Sequence, residues 1–293
     1  MGPREFILIG PVPGMIVGVT LLGAWTFFNR GKRRGRGPLW VAPVVFALAF
    51  LPAFLANNSI ARVWPRDGSY RFPHVALAAM LAGLGCVLIH KPAFVRHVIS
   101  GLALGFCVWV VIGSMPAVSL ARADLVVWIV AVGIGGSAIV ALVDWAGDSQ
   151  PAWVLPTQLV FVALATSLIC LYSSIAILSQ HAGGVVAMAT AAAIVGAIHK
   201  GMSISRGGTL VLYTLLAALC VGATQHTSYP LHLSAYVLVL IAPLGSLVAV
   251  IPSVRRGQSW KATALALAGV LIPLIAAVGI ALLTRHASEP YAG

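Results

Sequence analysis

Charge is what this sequence lacks. Of its 293 residues only 8% are charged, six are Asp or Glu, and 60% are hydrophobic. A soluble domain is about a quarter charged, so this chain cannot cover a water-facing surface. A bilayer asks for no such cover. Catalytic signatures are missing too. There is no HExxH, no GxSxG, no CxxC, and no Asp/Glu pair at helical spacing inside an apolar run; an enzyme acting in the membrane needs such groups. No catalytic residue and no cofactor is therefore expected. The four cysteines, Cys86, Cys107, Cys170 and Cys220, each sit inside an apolar run and far from one another. They read as small buried hydrophobes, not as a disulfide framework or a metal site. His226 and His232 are close in sequence, but no carboxylate or thiol accompanies them to complete a metal set. Strict apolar–polar alternation is absent as well, which excludes a membrane β-barrel.

What is present is a succession of continuous apolar runs. A spanning helix takes roughly 20 apolar residues, so the chain has room for about ten. The runs predict helices over 6–28, 38–56, 74–90, 98–120, 125–144, 154–178, 185–199, 208–224, 235–251 and 262–284. The seventh is the shortest. The expected fold is all-α, a single polytopic transmembrane domain over 1–293.

The segment NRGKRRGRG, 29–37, sets the orientation. It holds Arg30, Lys32, Arg33, Arg34 and Arg36 between the first two runs. Basic loops stay on the cytoplasmic side, which leaves both termini outside. The first run is too long for a cleavable signal peptide and lacks a basic segment before it. With ten helices the inner loops hold twelve of the 18 Lys and Arg and the outer segments six. If the seventh run failed to span, that bias would vanish. The net charge of +12 lies scattered through these loops. It suits anionic lipid headgroups and does not form the single basic face that nucleic acid needs.

Two short matches recur. WVAP at 40–43 opens the second run and WVLP at 153–156 opens the sixth; His90-Lys91 closes the third and His199-Lys200 the seventh. The pattern raises a parallel four-helix repeat, 6–120 against 125–224, with 235–284 appended. The alternative is ordinary interfacial chemistry, with Trp and Pro at one end of a span and His-Lys at the other.

Candidate site residues are few. Intramembrane charge marks ion and solute pathways, and Asp144 at the end of the fifth run is the one carboxylate placed to reach back into a span. Gln158 and Lys200 are candidate partners. The GPVPG stretch, with Pro11 and Pro13, reads either as a broken helix lining a cavity or as a kink near the outer interface. The sixth run holds Gln158 and a Tyr172-Ser173-Ser174 cluster. GIGGS at 133–137, Gly101 with Gly105, and Gly14 with Gly18 read as close-packing faces. Most histidines, His181 among them, fall towards the outer interface.

The segment WPRDGSYRFPHVALAAMLAGL, 64–84, sets a Pro- and Arg-containing outer loop directly before an alanine-rich helix. In this, and in its Ala-, Val- and Gly-dominated spans, the chain resembles a group of uncharacterised polytopic membrane proteins of planctomycete-type bacteria. That resemblance implies a bacterial cytoplasmic (inner) membrane and supplies no site residue. Two functional readings stay open. One is a permease or channel-like transporter, expected to hold a polar cavity touching Gln158 and Tyr172. The other is a non-catalytic structural or assembly subunit, with membrane-protein partners or further copies of itself held on Gly- and Ala-rich faces.

Overall fold

The computed structural model describes residues 7, 10–29, 38–57, 71–89, 93–112, 122–226, 231–251 and 259–288. Among them 88% are helical and none lies in a strand. Eight segments are plain α-helices: α1 Pro11–Asn29, α2 Val41–Asn57, α3 Phe72–Leu88, α4 Ala93–Ile112, α6 Val154–Tyr172, α7 Ala176–Ile198, α8 Gly208–His226 and α10 Ser259–Ser288. Two change form along their length. α5 is α-helical over Arg122–Val130, π-helical over Ala131–Gly135 and α-helical again over Gly136–Gly147. α9 is α-helical over Leu233–Ile241 and continues as a 3-10 helix over Ala242–Val250. Seven of these elements, α4 to α10, are long and apolar enough to cross a membrane, while α1, α2 and α3 are shorter apolar helices. The chain is a multi-pass helical membrane protein. Its basic segment, with Arg30, Lys32, Arg33, Arg34 and Arg36, lies outside the described residues.

The order of burial is the reverse of what water selects. α8 is the least hydropathic of the seven long helices, yet 89% of its span is buried. α10 is the most hydropathic and only 28% of its span is buried. Lipid tails are as apolar as leucine, so a helix gains nothing by hiding leucine from them. The helix with Thr209, Tyr213, Thr214 and Thr224 is the one that must go inside. α8 forms the axis of the bundle and touches α2 to α7 and α9. α10 lies at the edge against α6 and α9, and α1 lies against α2 and α7. The indole N–H of Trp25 donates to the Gly201 carbonyl at 3.2 Å, which ties the end of α1 to the end of α7.

Small residues make the helix contacts, as their spacing predicts. A Cβ on Gly133 would lie 3.1 Å from the Gly101 carbonyl oxygen, so α4 and α5 meet backbone to backbone. A Cβ on Gly14 would lie 3.3 Å from the Ala187 carbonyl oxygen, where α1 rests on α7. The π-helical turn of α5, Ala131–Gly135, includes the Gly133 of the α4–α5 contact. In α9, Pro243 has no N–H to give. The Leu240 carbonyl, three residues before it, accepts from the Tyr213 hydroxyl at 3.0 Å. A freed carbonyl in the bundle is thereby satisfied by a neighbouring helix.

The sixth predicted run, 154–178, is in fact cut at Tyr172. Ser174 takes a left-handed backbone with φ 62°. The N–H of Ser174 then donates to the Leu171 carbonyl and that of Ile175 to the Cys170 carbonyl, at 2.9 and 3.0 Å. This is the Schellman arrangement that ends a helix. The Tyr172-Ser173-Ser174 cluster is therefore a terminator. It releases 176–184 to the next helix, so the seventh element runs 23 residues instead of 185–199. The WVAP and WVLP matches open their helices alike. Val41 donates to the Pro38 carbonyl and Val154 to the Pro151 carbonyl, both at 2.9 Å.

Ser174 occupies a position that favours glycine. Ser174→Gly removes the steric cost of a Cβ at φ > 0 and is expected to raise stability by about 1 kcal/mol, measured as thermal unfolding in mild detergent.

Candidate functional site

The end of α3, the start of α4, the end of α5 and the loop from α7 to α8 come together at one end of the bundle. The loop is fixed by a close backbone approach. A Cβ on Gly207 would lie 2.8 Å from the Gly83 carbonyl oxygen, and one on Gly83 would lie 2.8 Å from Pro43 Cβ and 2.9 Å from the Gly207 carbonyl oxygen. Only glycine at both places lets the loop seat on α2 and α3. The preceding residue, Arg206, is held left-handed with φ 73°, a conformation that L residues avoid by about 1–2 kcal/mol.

That turn aims the Arg206 main-chain N–H at α5. It donates to Asp144 Oδ2 at 2.7 Å. The Thr209 side chain, in the first turn of α8, lies beside the same carboxylate. The other oxygen, Oδ1, is buried and has no hydrogen-bond partner.

The carboxylate borders a cavity of about 210 Å³ shared with Arg96, His97 and Ser100 of α4 and Ser137 of α5. Arg96 Nε is also buried without a partner. The Cys86 thiol, on the same wall, contacts Ser100 Oγ at 3.6 Å and the Arg96 carbonyl at 3.7 Å. A second cavity, of about 190 Å³, contains Gln150, Lys200 and Ser203. Asp148 and Arg206 border both. Two of the chain's six acidic residues thus line one polar end together with three basic ones. No group of three His, Cys, Asp or Glu able to hold a metal occurs among the described residues.

Of the residues singled out from the sequence, Asp144 is at the centre of this arrangement. Its partner is neither Gln158 nor the Lys200 side chain but the Arg206 backbone. Gln158 is buried against α10, where its Nε2 donates to the Ala266 carbonyl at 3.5 Å and its Oε1 has no partner. Tyr172 ends α6, roughly 20 Å along the helix from Gln158 at 1.5 Å per residue. Neither borders the two polar cavities. Pro11 and Pro13 occupy the first turn of α1, where a missing N–H costs nothing. The Gly14 N–H still reaches the Gly10 carbonyl at 3.4 Å. Pro11 lies on an apolar groove between α1 and α7, and Pro13 is buried. The structure does not bring these five residues together.

The sequence counted Arg96 and Arg206 only as loop charges. A usable signal was present in Arg206-Gly207-Gly208, a cation before a glycine pair at a helix start. His181 was placed at the outer interface, yet it is fully buried. Its ring stacks on Phe54 at 5.6 Å and meets Phe50 and Phe72 at 5.8 Å, and neither ring nitrogen has a partner. Nothing in the composition of α7 distinguishes this buried histidine from an interfacial one.

Together these features define a multi-pass helical membrane protein with a cavity of mixed charge at one end. The chain matches no protein-family model and no curated protein from which a function could be inherited.

Asp144→Ala deprives the half-buried Arg206 N–H of its acceptor, and is expected to lower stability by about 1–3 kcal/mol. Asp144→Asn keeps an acceptor oxygen and is expected to lose less than half of that. Thermal unfolding of the three proteins in the same detergent measures the difference.

Proposed function

We propose that this protein is a permease or channel-like transporter of a small polar solute in a bacterial inner membrane. The carrying observation is the Asp144 carboxylate in the wall of a cavity it shares with Arg96, with one oxygen tied to the Arg206 backbone and the other, like Arg96 Nε, buried without a hydrogen-bond partner. Ionisable groups are costly in a bundle of apolar helices, and when they are retained they line solute pathways. The cavity is small against the roughly 300–1,000 Å³ of drug-sized sites, which favours a compact solute. The alternative reading as a passive structural subunit gives no reason for acidic and basic side chains gathered round one cavity.

In this reading α1, α2 and α3 cross the membrane along with the seven longer helices, giving ten spans with both termini outside. The Arg30–Arg36 segment, Lys200 and Arg206 then face the cytoplasm, where anionic headgroups attract them. The Asp144 cavity is a cytoplasmic vestibule. The matching turns at Val41 and Val154 support, locally, a common origin for helices α1–α4 and α5–α8.

The orientation is checked by cysteine labelling. The four native cysteines are buried, so background reaction is small. With a membrane-impermeant maleimide, Lys32→Cys is expected to label only after the inner face is opened, and Arg66→Cys to label in intact cells. The reverse pattern overturns the topology. Transport is checked with proteoliposomes in a stopped-flow shrinkage assay, using neutral, cationic, anionic and zwitterionic solutes of similar size. Protein-dependent permeation of at least one solute, reduced by Asp144→Asn, is expected. No protein-dependent permeation of any of them overturns the transport reading.

A further inference from the structure

Two spaces along α4 and α5 run into one another. The charged cavity of about 210 Å³ is bordered by His97 and Ser137, and so is an apolar groove of about 410 Å³ between the same two helices. Glycine makes the floor of that groove. A Cβ on Gly101 would lie 3.4 Å from the Gly133 carbonyl oxygen, and one on Gly105 would lie 3.2 Å from Ile129 Cγ2. These pairs run in opposite senses along the two helices, which sets His97 level with Ser137. The rims are the exposed side chains of Val98, Leu102, Phe106 and Ile134. From His97 to Phe106 the groove extends roughly 14 Å at about 1.5 Å per residue. That is close to the depth of one leaflet, half of a hydrocarbon core of about 30 Å.

Charge at the meeting point is one-sided. His97 is exposed, and half-buried Arg96 precedes it on α4. The acidic residues of the cavity stand further off: Asp144 and Asp148 lie roughly 10 and 16 Å along α5 from Ser137. The Ser137 hydroxyl itself donates to the Ile134 carbonyl at 2.9 Å, so the donor at the junction is His97. A partner helix suits this groove poorly. Gly101 and Gly105, which would let one approach, are already closed against α5, and an apolar helix would bring no counter-charge to His97 and Arg96. The groove between α1 and α7 is apolar too, but it shares no residue with either polar cavity. We propose that α4 and α5 hold one anionic phospholipid, with an acyl chain lying in the groove and the phosphate at His97 and Arg96. The site faces the bilayer and does not depend on the transport reading.

The test is native mass spectrometry of the full-length protein in mild detergent, titrated with three probes. These are dioleoyl phosphatidylglycerol, dioleoylglycerol (the chains without the phosphate) and glycerol phosphate (the phosphate without the chains). One phosphatidylglycerol per protein is expected to be retained, with each of the other two weaker by about tenfold or more. Arg96→Gln combined with His97→Gln is expected to weaken phosphatidylglycerol by a similar factor. Val98→Trp, which fills the groove beside the junction, is expected to do the same, while Val19→Trp on the α1–α7 groove changes nothing. Position is read on the native protein with a phosphatidylglycerol carrying a diazirine in its chain, at one lipid per protein. Crosslinks are expected within 98–106 and 129–134, and this readout stands even where a variant fails to fold. Equal retention of dioleoylglycerol, the same loss from Val19→Trp as from Val98→Trp, or crosslinks spread evenly round the bundle would mark ordinary boundary lipid and overturn the proposal. Absence of solute permeation in proteoliposomes would overturn the transport reading and leave this site standing.

Discussion

The bundle depends on having lipid as its outer solvent. When the surroundings are as apolar as the side chains, hydrophobic burial no longer decides which helix goes inside. What decides is the need to satisfy polar groups and to bring small residues into contact. α8, with its threonines and Tyr213, becomes the axis, and α10, the most hydropathic helix, is left at the edge. The contacts between helices follow the same logic. Gly133 against Gly101 and Gly14 against Ala187 bring backbones together where a side chain would hold them apart. Dispersion between closely approaching surfaces then does what the hydrophobic effect does in a soluble core.

The irregular turns are consequences of the same constraint. A backbone group freed inside lipid has no water to turn to. The Leu240 carbonyl takes the Tyr213 hydroxyl, and the last carbonyls of α6 are closed by the left-handed Ser174. The same device, used at Arg206, has a different result. There the left-handed residue does not close a helix on itself. It offers its N–H to a carboxylate on another helix. The backbone contact between Gly83 and Gly207 leaves the loop little freedom, so Asp144 is held by one oxygen while the other is buried without a partner.

A charged cavity at one end of an otherwise apolar bundle is a costly feature, and the Arg206 N–H on Asp144 offsets only part of that cost. Asp144 Oδ1 and Arg96 Nε each remain without a hydrogen-bond partner. His181 is a second such expense. It is surrounded by Phe50, Phe54 and Phe72 and remote in the sequence from every charged residue of the cavity. The residues of the first border a cavity whose wall carries both acidic and basic side chains. The second is enclosed by aromatic rings, with nothing to exchange a proton or a ligand with. That contrast is why the Asp144 end, and not the histidine, carries the functional reading.

The sequence by itself determined the solvent, the class and most of the helix positions. Eight per cent charge and long unbroken apolar runs admit only helices in a bilayer, and each run can be read locally because a helix satisfies its own backbone. The Gly contacts of α4 with α5 and of α1 with α7 were legible for the same reason, since small-residue spacing is a property of one helix face. Asp144 was legible as the one carboxylate within reach of a span. The tertiary structure alone decided its partner. A bond between Asp144 and a backbone N–H 62 residues away leaves no trace in residue type, because every residue but proline carries that donor. It also decided that Tyr172-Ser173-Ser174 ends a helix, since a left-handed serine looks like any other in the sequence. Finally, it decided that Pro11, Pro13, Gln158 and Tyr172 lie apart from the cavity. Their distance from Asp144 depends on how α1 packs on α2 and α7 and how α6 packs on α8, and packing between apolar helices in lipid is chosen by surface fit rather than by any one residue.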